Sequence, residues 1–209
     1  MPIPSREKVI ELLSGHAHGY DIEDVTVSRA GSHSVVKVIV DRDEGFELDA
    51  IADLSRDISV LLDELDDGGN AAYNLEVTTP GVERPLTEPR HWRRSRGRRA
   101  SVRLVGTDSA DTEQLDARVG ALVDGDSAVE LVLKDKTGPY VRTVSLADIE
   151  AAVVEVEFRK PNPRELELTG GVTPGRFDPT NPPAEPEGDF DDESDDSDDD
   201  TTSGKGSTK

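Results

Sequence analysis

Tyr73-Asn74-Leu75-Glu76-Val77-Thr78-Thr79-Pro80-Gly81-Val82-Glu83-Arg84-Pro85-Leu86 divides the chain into two halves of different character. Tyr73, Leu75 and Val77 alternate with polar residues, the period of a strand with one buried face. Thr79-Pro80-Gly81 closes that strand, with the glycine free to take a positive φ in the turn. Pro85, and Pro89 soon after, restrict the backbone, so the connector reads as a short semi-rigid hinge. Pro80, Gly81, Arg84 and Pro85 form the core of this hinge motif. Trp92, the single tryptophan, stands beside the boundary and is expected to pack between the two domains.

Upstream, Ser5 can cap a short helix carrying Val9, Ile10, Leu12 and Leu13 on its buried side, with Gly15 as its stop. Strands are expected over Asp21–Ala30 and over His33–Asp41, where Val36, Val38 and Val40 alternate. Asp49 is expected to cap a second helix in which Ile51, Leu54, Ile58, Leu61, Leu62 and Leu65 keep helical spacing until Asp-Asp-Gly-Gly. Helix, strand, strand, helix, strand predicts a three-stranded sheet with both helices on one face. Downstream come short β runs at Arg98–Val105, Leu115–Asp124, Ala128–Lys134, Tyr140–Ser145 and Ala151–Phe158, with one helical turn at Leu146–Ile149. Five short strands at this spacing fit a small closed barrel, since closure removes exposed edges. After Lys160 the chain holds seven of its 13 prolines and the run Glu185–Asp200, too little apolar surface to offset the entropy of ordering. The expected fold class is α+β: an N-terminal α/β domain over 1–86, a β-barrel over 87–160, and a disordered acidic tail over 161–209.

The 209 residues hold no cysteine, which removes disulfides, thiolate metal sites and cysteine nucleophiles. No apolar run approaches the roughly 18 residues of a membrane span, and the first residues lack a signal-peptide pattern, so a cytoplasmic protein is expected. There is no phosphate-binding loop, dinucleotide fingerprint or nucleophile elbow. The four histidines are His16, His18, His33 and His91; His16 and His18 could seed a metal site but have no carboxylate at ligand spacing. No catalytic residue, metal or cofactor is assigned, and the chain reads as a non-enzyme.

Net charge is −21, yet Arg84–Arg103 contains eight arginines and one acid, Glu88. Arg84, Arg90, Arg93, Arg94, Arg96, Arg98 and Arg99 cannot all face a core. Guanidinium forks match phosphate oxygens, so the density favours a nucleic-acid surface; pairing with the chain's own abundant carboxylates is the alternative. Aromatics ahead of the tail are scattered, which argues against a base-stacking platform and for a reader of backbone and shape.

The central stretch resembles the Leu-Glu-Val-Ser-Ser-Pro-Gly-(hydrophobe)-Asp-Arg-Pro-Leu signature of the ribosome maturation factor RimP family. Pro89-x-His91-Trp92-Arg93-Arg94-x-x-Gly97-Arg98 is similar to its Pro-x-His-Phe-x-Arg-x-x-Gly-Arg, and Gly19–Val25 and Leu54–Ile58 also match. Thr78-Thr79 for Ser-Ser, Glu83 for Asp and Trp92 for Phe are mild departures; the acidic tail, Arg96 and Arg99 are larger ones. The resemblance implies that the second domain is an SH3-like barrel. It also implies a non-enzymatic factor binding the immature small ribosomal subunit, through small-subunit rRNA and the small-subunit ribosomal protein numbered twelve. A protein-interaction module that delivers a ribosomal protein with little RNA contact is the alternative, and would rely on the barrel strands Arg98–Val105 and Leu115–Asp124. A monomer is the simpler expectation.

Overall fold

The computed structural model describes residues 5–16, 19–30, 33–46, 48–64, 73–106, 112–173 and 176. Two sheets with separate cores make up an α+β chain. The first core is built from α1 (Arg6–His16), β1 (Asp21–Ala30), β2 (His33–Asp41), α2 (Leu48–Glu64) and β3 (Tyr73–Thr78). Ser5 caps α1 as its sequence suggests, its hydroxyl accepting from the Lys8 N–H at 3.3 Å. β2 is central, antiparallel to β1 and parallel to β3. A parallel pair needs a crossover, and α2 supplies it between β2 and β3. Val36, Val38 and Val40 alternate along β2 onto one face. There they are fully buried with Val25, with Val9 and Leu13 of α1, and with Ile58 and Leu62 of α2. Both helices therefore cover the same face.

The strand after the hinge motif begins a second sheet, ordered β7-β6-β5-β4-β8 and antiparallel throughout. Its strands are β4 (Arg99–Leu104), β5 (Gln114–Val123), β6 (Ala128–Asp135), β7 (Gly138–Ser145) and β8 (Ile149–Val154), with a 3-10 turn at Leu146–Asp148. The connector is tied to this sheet: the Leu86 N–H donates to the Ala152 carbonyl at 2.8 Å, and Leu86 belongs to the second core. Gly81 does not enter the left-handed region; the reversal is instead closed by the Arg84 N–H on the Gly81 carbonyl at 3.2 Å.

Two expectations are corrected. Trp92 does not pack between the domains. It lies on α3 (Pro89–Arg94), one turn past a proline that starts the helix, and is buried in the second core with Leu86, Ala100 and Val119. Residues 163–169, read as the start of the tail, form α4 (Pro163–Thr169) against β5, β6 and β7. Asn162 caps it, accepting from the Arg164 N–H at 2.9 Å, Pro163 occupies the first turn, and Gly170 ends it with φ at +71°. The remaining tail residues lie outside the described ones, apart from 161, 162, 170–173 and Arg176, as do Gly31, Ser32 and the Asp-Asp-Gly-Gly run. No helix among the described residues is long and apolar enough to cross a membrane.

Candidate functional site

The arginine segment lies where the two sheets meet. β1 and β2 fall out of register between Ile22 and Asp24, so Glu23 is an extra residue, and such a bulge re-aims its side chain. The Glu23 carboxylate is fully buried and receives Arg84 at 2.8 Å, and Arg90, His91 Nε2 and Arg94 at 2.9 Å each. The Glu23 carbonyl also accepts from Arg84 at 2.9 Å. His91 Nδ1 accepts from the Thr87 and Glu88 backbone N–H groups at 3.1 and 3.2 Å, which places the ring proton on Nε2, facing Glu23. Burial alone would raise the Glu23 pKa, but the hydrogen bonds from His91 and Arg90 and the charge of Arg84 outweigh it and hold the pKa at about 2.

Three further carboxylates ring this centre. Arg94, only 5 % exposed, bonds Asp21 and also reaches Asp43 at 2.9 Å. Arg93 pairs with Asp43 at 3.0 Å. Arg176, from beyond α4, reaches Asp41 at 2.8 Å and bonds the Arg42 carbonyl. The hydrogen bonds of Arg93 and Arg94 hold the Asp43 pKa below the usual carboxylate range against the opposing effect of burial.

The seven arginines thus separate by environment. Arg84, Arg90 and Arg94 join the first sheet to the connector and α3. Arg96 donates to the Thr169 and Gly170 carbonyls at 2.7 and 2.8 Å, capping the end of α4 with a cation. Arg98 is half-buried; burial lowers its pKa, Glu157 opposes that and Arg176 adds to it. Arg93 and Arg99 remain 46 % and 48 % exposed, Arg99 pairing with Glu155 at 3.1 Å and Asp116 at 3.5 Å. Of the hinge residues, Pro80, Gly81, Arg84 and Pro85 line a cleft of about 200 Å3 that Arg94, Arg98 and Arg176 complete. Trp92 is not among them.

Sequence reasoning missed Glu23, Asp21, Asp41 and Asp43 as the partners of the arginines, and missed Arg176. The only available signal was acids at i and i+2 near strand ends, which a chain with 45 acidic residues repeats by chance. His16 bonds the Leu12 carbonyl of its own helix at 2.8 Å, and His18 lies outside the described residues.

Two similarities place a chain of this geometry among known proteins. Residues 14–83 match the RimP N-terminal domain. The chain is 45% identical over 181 residues to the ribosome maturation factor RimP of Mycobacteroides abscessus, covering 83% of this chain and 92% of that protein.

Proposed function

Since the chain belongs to the RimP family of ribosome maturation factors, we propose that it acts without catalysis, binding the small ribosomal subunit during assembly. It can advance assembly only by preferring an immature conformation over the mature one, because equal affinity for both shifts nothing. Its direct contacts are small-subunit rRNA and the small-subunit ribosomal protein numbered twelve. In this reading the five-stranded sheet is the SH3-like barrel, and the register shifts at Arg103/Leu104 and Val119/Leu122 supply bends that a small barrel needs.

The observation that carries the RNA contact is the exposure of Arg93 and Arg99 in pairs whose acidic partners are exposed too. Such pairs contribute about 0–1 kcal/mol each, so a phosphate can replace the carboxylate at little cost. Arg103, paired with Glu150 at 2.9 Å, follows Arg99 on the same outward face of β4 and extends the row. Arg84, Arg90, Arg94, Arg96 and Arg98 support this surface from the junction. Co-sedimentation with immature and mature small subunits across a salt series tests the reading. An Arg93→Gln/Arg99→Gln variant should bind immature particles more weakly, with a salt slope reduced by roughly 0.7–0.9 for each phosphate that is no longer neutralised. An unchanged slope and affinity would refute the RNA contact.

One feature favours a protein contact in addition. β4 and β5 are interior strands with both backbone edges taken, but β7 is an edge strand on which Tyr140 and Val141 are exposed. Binding to the isolated ribosomal protein without RNA, abolished in Tyr140→Ser/Val141→Ser, would move the weight to this edge.

A further inference from the structure

Phe158 is 95 % exposed, the most exposed large apolar side chain among the described residues. It stands in the extended segment that leads from β8 to α4. Side chains alternate there in an unusual sense. Glu155 and Glu157 turn toward the protein, to Arg99 at 3.1 Å and to the buried Arg118 at 2.6 Å, while Val156 and Phe158 turn to solvent. An acid inside and an aromatic outside reverse the ordinary sorting of residues. Part of the reason is local: Arg118 needs a carboxylate, and giving it Glu157 sends the neighbours at 156 and 158 to the other side.

The chemistry around Phe158 points to an occupant. Arg159 and Lys160 follow it directly, both exposed, and neither has a carboxylate at ion-pair distance among the described residues. An open groove of about 390 Å3 beside them, within the range of small-ligand clefts, is lined by Phe158, Arg159 and Lys160 together with Arg99 and Arg118, whose charges are met there by Glu155, Glu157 and Glu165. The Glu155 N–H bonds the Arg99 carbonyl at 2.8 Å, so this groove continues the exposed row of Arg99 and Arg103 on β4. One aromatic ring and one valine offer too little apolar area for a stable protein interface, which needs about 1,000 Å2 or more. An exposed ring followed by two cations without ion-pair partners among the described residues matches a nucleotide, which has a flat apolar face and an adjoining anionic group.

Resting on the RNA reading above, we propose that residues 156–160 form a site for single-stranded RNA. One unpaired base stacks on Phe158 and its flanking phosphates lie against Arg159 and Lys160. Among the described residues the other aromatics leave no platform around it: Trp92 is buried, Tyr20, Phe46 and Tyr73 pack on the first core, and Tyr140 is on β7. The site therefore takes a single base and is tolerant of its identity.

The test uses the full chain and a single-stranded RNA of about eight nucleotides carrying one 2-aminopurine, at low salt. Wild type and Phe158→Tyr should quench the fluorescent base on binding. Phe158→Leu, which keeps apolar bulk but not the π face, should abolish the quench and weaken binding roughly 5- to 150-fold. Arg159→Gln/Lys160→Gln should keep the quench and lower the salt slope. Equal binding and quenching by Phe158→Leu and wild type would overturn the proposal. So would an intact oligonucleotide affinity in Phe158→Ala combined with failed co-sedimentation, which would mark a protein-docking residue. If Phe158 variants are inert while Arg93→Gln/Arg99→Gln still lowers the subunit salt slope, this site fails and the broader reading stands. If wild type binds neither oligonucleotide nor subunit, both fail.

Discussion

Glu23 sits where β1 carries one residue more than β2 can pair, and its carboxylate meets four donors from beyond the first sheet. A buried carboxylate of this kind stabilises only while ionised. Its pKa is held at about 2 in the fold, below the usual value of about 4.3 for an unfolded chain. The sign follows from linkage: a depressed folded pKa contributes stability above the unfolded value, and the contribution is lost as pH falls toward the folded value. Thermal or denaturant stability should therefore decline between about pH 5 and pH 2, by on the order of 3 kcal/mol from this group. Glu23→Gln should lose a similar amount at pH 7 and show a flatter acid limb. An acid limb identical to that of wild type would mean that other carboxylates govern it. None of this was readable residue by residue, because a bulge has no sequence marker and Glu23 looks like any other polar position on an alternating strand.

At the scale of elements, the chain segment after α4 is a strap, and Gly97 is the surface on which it rests. Arg96 holds the Thr169 and Gly170 carbonyls, and the Thr173 hydroxyl donates to the Arg93 carbonyl at 2.6 Å. Gly97 takes φ at +85°, and a Cβ there would stand 2.8 Å from the Val172 side chain and 3.0 Å from the Gly171 carbonyl oxygen. Gly97→Ala should cost about 1–2 kcal/mol from the left-handed backbone alone, and should speed hydrogen exchange at residues 169–173 more than in β5. Equal protection there in both proteins would show that the strap does not depend on this glycine. The regular elements were legible because they follow simple periods: β1 and β2 begin and end at the residues where alternation does. Gln114–Val123 and Ala128–Asp135 lie within one residue of their expected bounds. α4 was missed because seven late prolines were weighed as composition. Their positions carried the opposite message, since Asn162-Pro163 followed by Gly170 is a cap, a first-turn proline and a C-terminal stop. Trp92 was misplaced for a similar reason, its nearness to the boundary in sequence having been taken for nearness in space.

Across the whole molecule, a chain of net charge −21 keeps most of its described arginines in pairs with its own acids, and beside α3, β4 and the segment after β8 the cations that stay exposed are Arg93, Arg99, Arg103, Arg159 and Lys160. Density of arginine in the sequence therefore overstated the available cationic surface, since pairing depends on which acids the topology delivers. The same arrangement bears on the acidic residues beyond Arg176. Residues 177–209 carry 12 acids and two bases, and they follow a guanidinium fixed at Asp41, on the wall of the cleft where the two sheets meet. Thirty-three residues are ample chain to reach back to the exposed arginines, and a covalent tether keeps those acids at an effective concentration in the millimolar range. They should compete with phosphate for the same cations, more strongly against loosely held RNA than against a subunit engaged at several points. Deleting residues 177–209, which spares the Arg176 contact, should raise affinity for unrelated RNA at low salt and change subunit binding little. The gain should vanish as salt shortens the Debye length from about 30 Å at 0.01 M to about 8 Å at 0.15 M. Equal affinity of the truncated and full chains for unrelated RNA at 0.01 M would rule this competition out and leave selectivity to the folded surface alone.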